Sequence, residues 1–572
     1  MLDDGPVHDS RLATAPTAGA PEPVTVRHLR QVLLWPLRLM PGRRDDGQPP
    51  WQRLREAGPA SPWREQVDEY TGDPKQFHER HYNEFVTFLP YVQRFLYGEG
   101  RVARDSDEGD DEYHGAPMRV FRRRDVARAR VWPRAGAQPV ELRVVHVDLY
   151  FFFDVDVVLL NVELEADALS LPLAQELLYR TGRAYPPGWD AAGRPQHCHF
   201  AAEWLAADGR VLAQSDAQAR EVYLAHVAEH RAPRIAAHWA WLLEPLVPDH
   251  SAVEGALRYR QIEYYRMPMM AYLALDDPRA LSRADFVRLG LVTGAGGAQG
   301  ADGAGELPYS ERHLADFEAR HCYDRFWSTT GAAPDTRYLC SGHALVVVGR
   351  ADAAFFRCGD RGVLAQFRHP HFMIFLIAHF QKAALLMFSD RLVAALKRLN
   401  VRNPSSVKRF KREIRACFEG FLRFTHRYWF HQVAEQAQAR ALFELTARHL
   451  GLDALYADVK ERIADMNAYL DADSLRRQAN TVVRLTVVTM FGLIGTVTTG
   501  FLGMNLLAEA DAPMWRRIAW FGGVFALTTW LTLYTIAKSK RLSDFLDVLS
   551  DERMSPWRKA RVLFAVWGRE KD

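Results

Sequence analysis

Five threonines, Thr486, Thr489, Thr496, Thr498 and Thr499, and three glycines, Gly492, Gly495 and Gly500, stand in a stretch of 24 residues without a formal charge, Leu485 to Ala508. Small residues let helices approach closely, and threonine hydroxyls bond across helices or face water. Leu485, Thr489, Leu493, Thr496 and Gly500 are spaced 4, 4, 3 and 4. In a helix they share one face. Copies of that face around an axis would line a pore with alternating apolar and hydroxyl rings and no charge. Hairpin packing alone is the plainer use of the same residues. The stretch runs through Gly503-Met504-Asn505, and Glu509 and Asp511 follow. Those two carboxylates would concentrate cations.

These residues need a membrane and a scaffold. A second uncharged window of 20 residues runs from Ile518 to Ala537. A helix needs about 20 predominantly apolar residues to cross the hydrocarbon core, and both windows qualify. The nine residues between them, Glu509 to Arg517, are too few for a domain, so the spans predict a helical hairpin. Arg476, Arg477 and Arg484 precede it, and Lys538, Lys540 and Arg541 follow it. Arg516 and Arg517 lie in the loop. Six cations against two put both termini in the cytoplasm. Trp515, Trp520 and Tyr534 suit interface anchoring, and Trp530 lies deeper.

No glycine or proline occurs between Gly451 and Gly492. Leu455, Val459, Ile463, Met466 and Leu470 recur every three or four residues. One continuous helix is expected to enter the membrane as the first span. From Leu455 to Leu502 it would be roughly 70 Å long, a stalk that bundles with copies of itself.

Upstream, the first 25 residues read as a disordered leader without a signal-peptide stretch. Residues 26–100 read as mixed basic and aromatic sequence with helical character. Asp105 to Glu112 reads as a solvated acidic loop. Residues 117–166 read as strands, with period-2 alternation over Val145–Phe152 and a second β-branched run from Val155 after a turn at Asp154. Helices are expected near 171–182 and 215–246. Gly294–Gly305 is a flexible Gly/Ala insertion, and Tyr338–Val348 reads as one more strand. Phe372–Ala378 is too short an apolar run for a span and reads as core helix. Ser405 is the expected cap of a basic-ended helix that carries Lys408, Arg409, Lys411, Arg412 and Arg415 and runs toward Gly451. The tail, with Trp557, Leu563 and Trp567, reads as amphipathic.

Composition bounds the rest. The chain has 572 residues, with 73 Lys plus Arg against 70 Asp plus Glu. That near-balance gives no reason to expect nucleic acid as partner. A mean hydropathy of −0.23 excludes a protein made mostly of spans. Five scattered cysteines imply no disulfide framework. His197-Cys198-His199 and the Cys340/His343 pair lack a complete zinc spacing and read as structural. Asp148, Asp154 and Asp156 read as turn and surface residues. No Walker-type Gly-rich Lys motif occurs, and the Gly294–Gly305 run lacks its Lys-Ser/Thr ending. No enzymatic activity and no organic cofactor are expected.

A Gly-Met-Asn tripeptide at the outer end of the first of two C-terminal spans resembles the CorA family of magnesium channels. The specific resemblance covers about residues 455–541. It implies an α+β cytosolic domain (26–370), long helices and a stalk (371–484), a pore helix (485–508), an outer loop (509–517), a second span (518–537) and a basic cytosolic tail (538–572). It implies a homopentamer in the inner cell membrane, with Asn505 as a ring that receives hydrated Mg²⁺ through its hydration shell. Co²⁺ and Ni²⁺ are further expected cargo, and Mg²⁺ is also an expected regulatory ion on the cytosolic part. Gly503 would allow the tight path at the helix end, and Met504 would pack the loop. Thr496 matches a hydroxyl ring, and Leu485 and Leu493 match apolar constrictions. Asn480 lies near a family asparagine at the cytosolic end. The chain departs from the family at Leu502, where an aromatic is usual, and at Ile494-Gly495, where a proline is usual. Its outer loop carries Glu509, Asp511, Pro513 and Met514 in place of the usual Met-Pro-Glu-Leu. Two alternatives stay open: a related Zn²⁺ transporter coupled to protons, and a cytosolic enzyme or sensor anchored by an inert hairpin.

Overall fold

The computed structural model describes residues 24–40, 48–58, 61–66, 79–98, 117–253, 257–295, 309–400, 403–503 and 513–537. The chain divides into two units, residues 1–463 and 464–572.

The first unit is mixed α and β, built on one sheet of 14 strands. Along its main path the order is Val211–Gln214, Ala201–Leu205, Arg128–Trp132, Val140–Phe152, Val157–Ser170, Thr25–Met40, Met269–Leu275, Ala344–Arg350, Arg337–Ser341 and Cys322–Tyr323. Neighbours on this path are antiparallel except Met269–Leu275 beside Ala344–Arg350.

Thr25–Met40 is a 16-residue strand where the sequence suggested helical character. It lies inside the sheet and both of its faces are buried through most of its length, Arg30 and Gln31 included. Strict alternation, the usual strand signal, is lost in such a position. Pro36 is tolerated because the strand changes partner there. Pairing with Met269–Leu275 ends at Leu33↔Met269, and pairing with Leu257–Gln261 begins at Leu37↔Gln261. The Leu34 N–H donates to Pro268 O. Pro36, two residues on, lacks its donor where no ladder bond is required.

The turn at Asp154 joins the next two strands with φ of 62°, a left-handed conformation that aspartate tolerates. The expected single strand over Tyr338–Val348 is a hairpin, Arg337–Ser341 and Ala344–Arg350, turning at Gly342-His343.

A line of charge is buried on the sheet. Arg30 bonds Glu163 at 2.7 Å and also Glu165, whose side chains are 7% and 5% exposed. Arg143 reaches Glu165, and Arg368 lies 3.6 Å from Glu163. Asp148, expected at the surface, is 1% exposed and paired with Arg122 at 2.7 Å. Its neighbours on the strand are apolar, so its sequence context gave no sign of the guanidinium that compensates it.

Helix Pro370–Lys397 packs on this sheet and contains Phe372–Ala378. Among the described residues, one helical stretch, 363–397, is long and apolar enough to cross a membrane, and 78% of its apolar window is buried within the protein. It is a core helix. The next helix, Pro404–Arg427, is capped by Asn403, whose side chain accepts from the Ser405 N–H at 3.0 Å. Asn403, not Ser405, therefore closes the helix end, with Pro404 in the first turn. The chain breaks at Tyr428 and resumes as Ala437–Leu450, so the expected single helix is two.

Buried histidines make this unit acid-sensitive. Burial, with Lys382 and His343 nearby, holds His379 well below the ordinary histidine range. Burial lowers His371 to about 4 and His199 to about 3. Above about pH 6.5 these rings are neutral in both the folded and unfolded chain. Below it the unfolded chain takes protons that the folded one refuses, so stability falls as pH drops, by up to ~1.4 kcal/mol per pH unit per ring. Neither ring nitrogen of His379 has a hydrogen-bond partner among the described residues. His379→Leu is expected to leave neutral-pH stability equal or higher by about 1 kcal/mol and to flatten the loss between pH 6 and pH 4. Urea midpoints measured at both pH values check this; an unchanged slope would refute it.

Candidate functional site

The long helix Leu452–Gly503 carries the threonines and glycines, and Met514–Ala537 is the last helix. Leu485, Thr489, Gly492, Thr496, Thr499, Gly500 and Gly503 are exposed and recur at three- and four-residue spacing, so they form one stripe; Thr486 and Gly495, also exposed, lie on its two flanks. Four of the five expected lining residues, Leu485, Thr489, Thr496 and Gly500, lie on it. Leu493 is helical, but its side chain lies outside the described residues, as do those of Asn480 and Leu502. Met504, Asn505, Glu509 and Asp511 lie wholly outside them.

Among the described residues nothing covers this face. A methyl group added at Gly492, Gly495, Gly500 or Gly503 would meet nothing within 4 Å. Glycine costs about 1 kcal/mol relative to alanine inside a helix. No contact among the described residues accounts for that cost at these four positions.

The hydroxyls are already oriented. Thr489 donates to Leu485 O at 2.7 Å, Thr496 to Gly492 O at 2.8 Å and Thr486 to Val482 O at 2.9 Å. Thr499 donates to Gly495 O at 2.9 Å. This is the usual back-bond of a helical threonine to the preceding turn. It consumes the single hydroxyl proton and leaves oxygen lone pairs free. The stripe is therefore a row of hydrogen-bond acceptors set among apolar and bare-backbone positions. Water bound to a metal cation turns its hydrogens outward, so a hydrated cation presents donors that match such a row.

Among the described residues the last helix is also uncovered. Ile518, Phe521, Phe525 and Leu527 are exposed, as are Trp515 at 70% and Trp530 at 61%. Contiguous apolar surface of this kind marks contact with a membrane or another protein.

The other sequence candidates are structural. Burial pushes the Cys198 thiol up to about 12, and His199 shares a 3.0 Å hydrogen bond with Thr181 Oγ1. Cys340 is buried, pushed up to about 12, and lies 3.5 Å from Thr446 Oγ1. The His343 ring bonds Leu291 O at 3.1 Å. Among the described residues no group of three or more His, Cys, Asp or Glu side chains is placed to hold a metal ion. The sequence placed Asp154 and Asp156 at turn and surface positions but not their partners, Arg423 and Arg427 for Asp154 and Arg391 for Asp156. Their partners lie more than 200 positions away, so no local spacing points to them.

Comparison of the chain with family models, with curated proteins and with solved structures finds no match in any of the three.

Proposed function

We propose that this chain forms a CorA-like homopentameric channel that admits Mg²⁺, and also Co²⁺ or Ni²⁺, through the inner membrane, with both termini in the cytoplasm. The face of back-bonded threonines and glycines, uncovered among the described residues and continuous in sequence with Gly503-Met504-Asn505, carries this reading. Five copies around an axis would bury the stripe and turn its acceptors toward the permeating ion. Mg²⁺ releases its waters reluctantly. A wall of neutral oxygens holds the hydrated ion without binding it too tightly to leave, as conduction requires. Asn505 would offer amide oxygens at the outer mouth, and Glu509 and Asp511 would gather cations before it. The exposed aromatic surface of Met514–Ala537 suits the lipid-facing outer ring. A divalent ion entering down a potential of 100 mV, inside negative, gains about 4.6 kcal/mol, so no nucleotide motor is required.

The test is Mg²⁺ influx into liposomes holding the purified protein, with an inside-negative potential, beside the oligomer mass in mild detergent. Influx from a pentamer supports the reading. A monomer without flux would overturn it. Zinc flux that needs a pH gradient, with no magnesium flux, would select the proton-coupled alternative to which Leu502 and Gly495 point. A soluble activity retained without the hairpin would select the anchored enzyme or sensor.

A further inference from the structure

The first unit holds a cleft of about 970 Å³ that ion conduction does not use. Phe95 and Phe430 form its buried floor. They belong to an aromatic cluster in which Phe152 stacks on Phe380 at 3.8 Å and Phe95 meets Tyr428 edge-on at 5.4 Å. Trp51, Phe153, Tyr91 and Trp429 form the walls. Those walls are fixed from behind. Trp51 stacks on Phe153 at 4.4 Å, and Trp429 on Tyr456 at 4.3 Å. The Tyr428 hydroxyl donates to Phe153 O at 3.0 Å, and the Tyr91 hydroxyl donates to Gln432 O.

The cleft is also cationic. Arg94, Arg423 and Arg427 line it, and among the described residues Asp154 is the single carboxylate in the lining. One oxygen of Asp154 accepts from Arg423 and the other from Arg427, each at 2.9 Å. Two guanidiniums thus share one negative charge. Arg94 is exposed, and its side chain has no ion pair or hydrogen bond among the described residues. Forked guanidiniums recognise phosphate oxygens, and flat aromatic faces recognise a planar ring. The volume lies within the range of small-molecule sites.

We propose that this cleft binds a nucleoside di- or triphosphate, with the base against Tyr91 and Trp429 and the phosphates on Arg94, Arg423 and Arg427. The phosphate replaces Asp154 as the anion between Arg423 and Arg427. A fatty-acid anion would leave the flat walls without a matching face, and inorganic phosphate would leave them unused.

The sharing of Asp154 gives a test with a definite sign. Asparagine tolerates the left-handed backbone at position 154, so Asp154→Asn removes the competing charge and keeps the turn. Calorimetry would use the full chain in detergent, with ATP as ligand and a chelator to remove divalent ions. Adenosine and tripolyphosphate would be run separately. The expected result is that ATP binds, that Asp154→Asn tightens binding about tenfold, and that Arg94→Gln weakens it about tenfold, with thermal midpoints unchanged. Adenosine and tripolyphosphate should each bind more weakly than ATP. No ATP heat at millimolar concentration in wild type and Asp154→Asn would overturn the proposal. Tripolyphosphate binding as tightly as ATP would overturn it as well, because the walls would then play no part. An Arg94→Gln protein with wild-type affinity would overturn the placement of the phosphates.

Discussion

Asn505→Ala should reduce Mg²⁺ influx about a hundredfold or more. In a fivefold ring one substitution removes five amide oxygens together. A neutral hydrogen bond contributes about 0.5–1.5 kcal/mol net, so loss of all five, about 2.5–7.5 kcal/mol, reaches or exceeds the ~2.7 kcal/mol that corresponds to a hundredfold change. Asn505→Asp separates charge from hydration-shell recognition. It would bind Mg²⁺ more tightly and release it more slowly, so influx should saturate at lower Mg²⁺ with a lower maximum. Thr496→Val keeps the shape of the side chain and removes the acceptor. It should give a smaller reduction, because Asn505 still receives the ion. Dye-reported influx at a fixed inside-negative potential measures all three. Wild-type influx through Asn505→Ala would remove Asn505 from the pathway and the Gly-Met-Asn resemblance from its mechanism.

The second large effect concerns stability. Arg30→Ala leaves Glu163 and Glu165 facing each other in the sheet without the guanidinium that bridges them. Breaking a buried ion pair by deleting one partner costs about 3–5 kcal/mol. Arg143 and Arg368 reach the same carboxylates and should keep the loss toward the lower end. The urea midpoint of the first unit should fall accordingly. The triple variant Arg30→Met, Glu163→Gln, Glu165→Gln should recover much of the loss, since it buries no unpaired charge. A single-variant cost below about 1 kcal/mol would mean that water or the neighbouring arginines neutralise the site.

Local patterns made some elements legible and left others hidden. Alternation over Val145–Phe152 and the β-branched run after Asp154 marked the central antiparallel pair, because each signal lies within about ten residues. The strand Thr25–Met40 was hidden. Burial of both of its faces removes the alternation, and Pro36 looks forbidden until the change of partner is seen. The break at Tyr428 was hidden for another reason. No glycine or proline marks it, and the chain turns there to place Tyr428 and Phe430 in the aromatic cluster. The helical face with Thr489 and Thr496 could be read from spacing alone. The direction in which those hydroxyls spend their protons could not. The Arg94–Asp154–Arg427 cleft was beyond sequence reasoning altogether, since its lining comes from segments hundreds of positions apart.

The back-bonded threonines have a consequence for the sign of charge. A chloride ion needs donors to replace its water, and a wall whose hydroxyl protons are committed to its own carbonyls supplies none. Such a wall rejects anions without a fixed negative charge anywhere along it. Threonine does not titrate in the physiological range, so this discrimination would be indifferent to acidity. Lining of this kind would pass cations equally well at pH 6 and pH 8, while the histidine-laden first unit loses stability as acid is added.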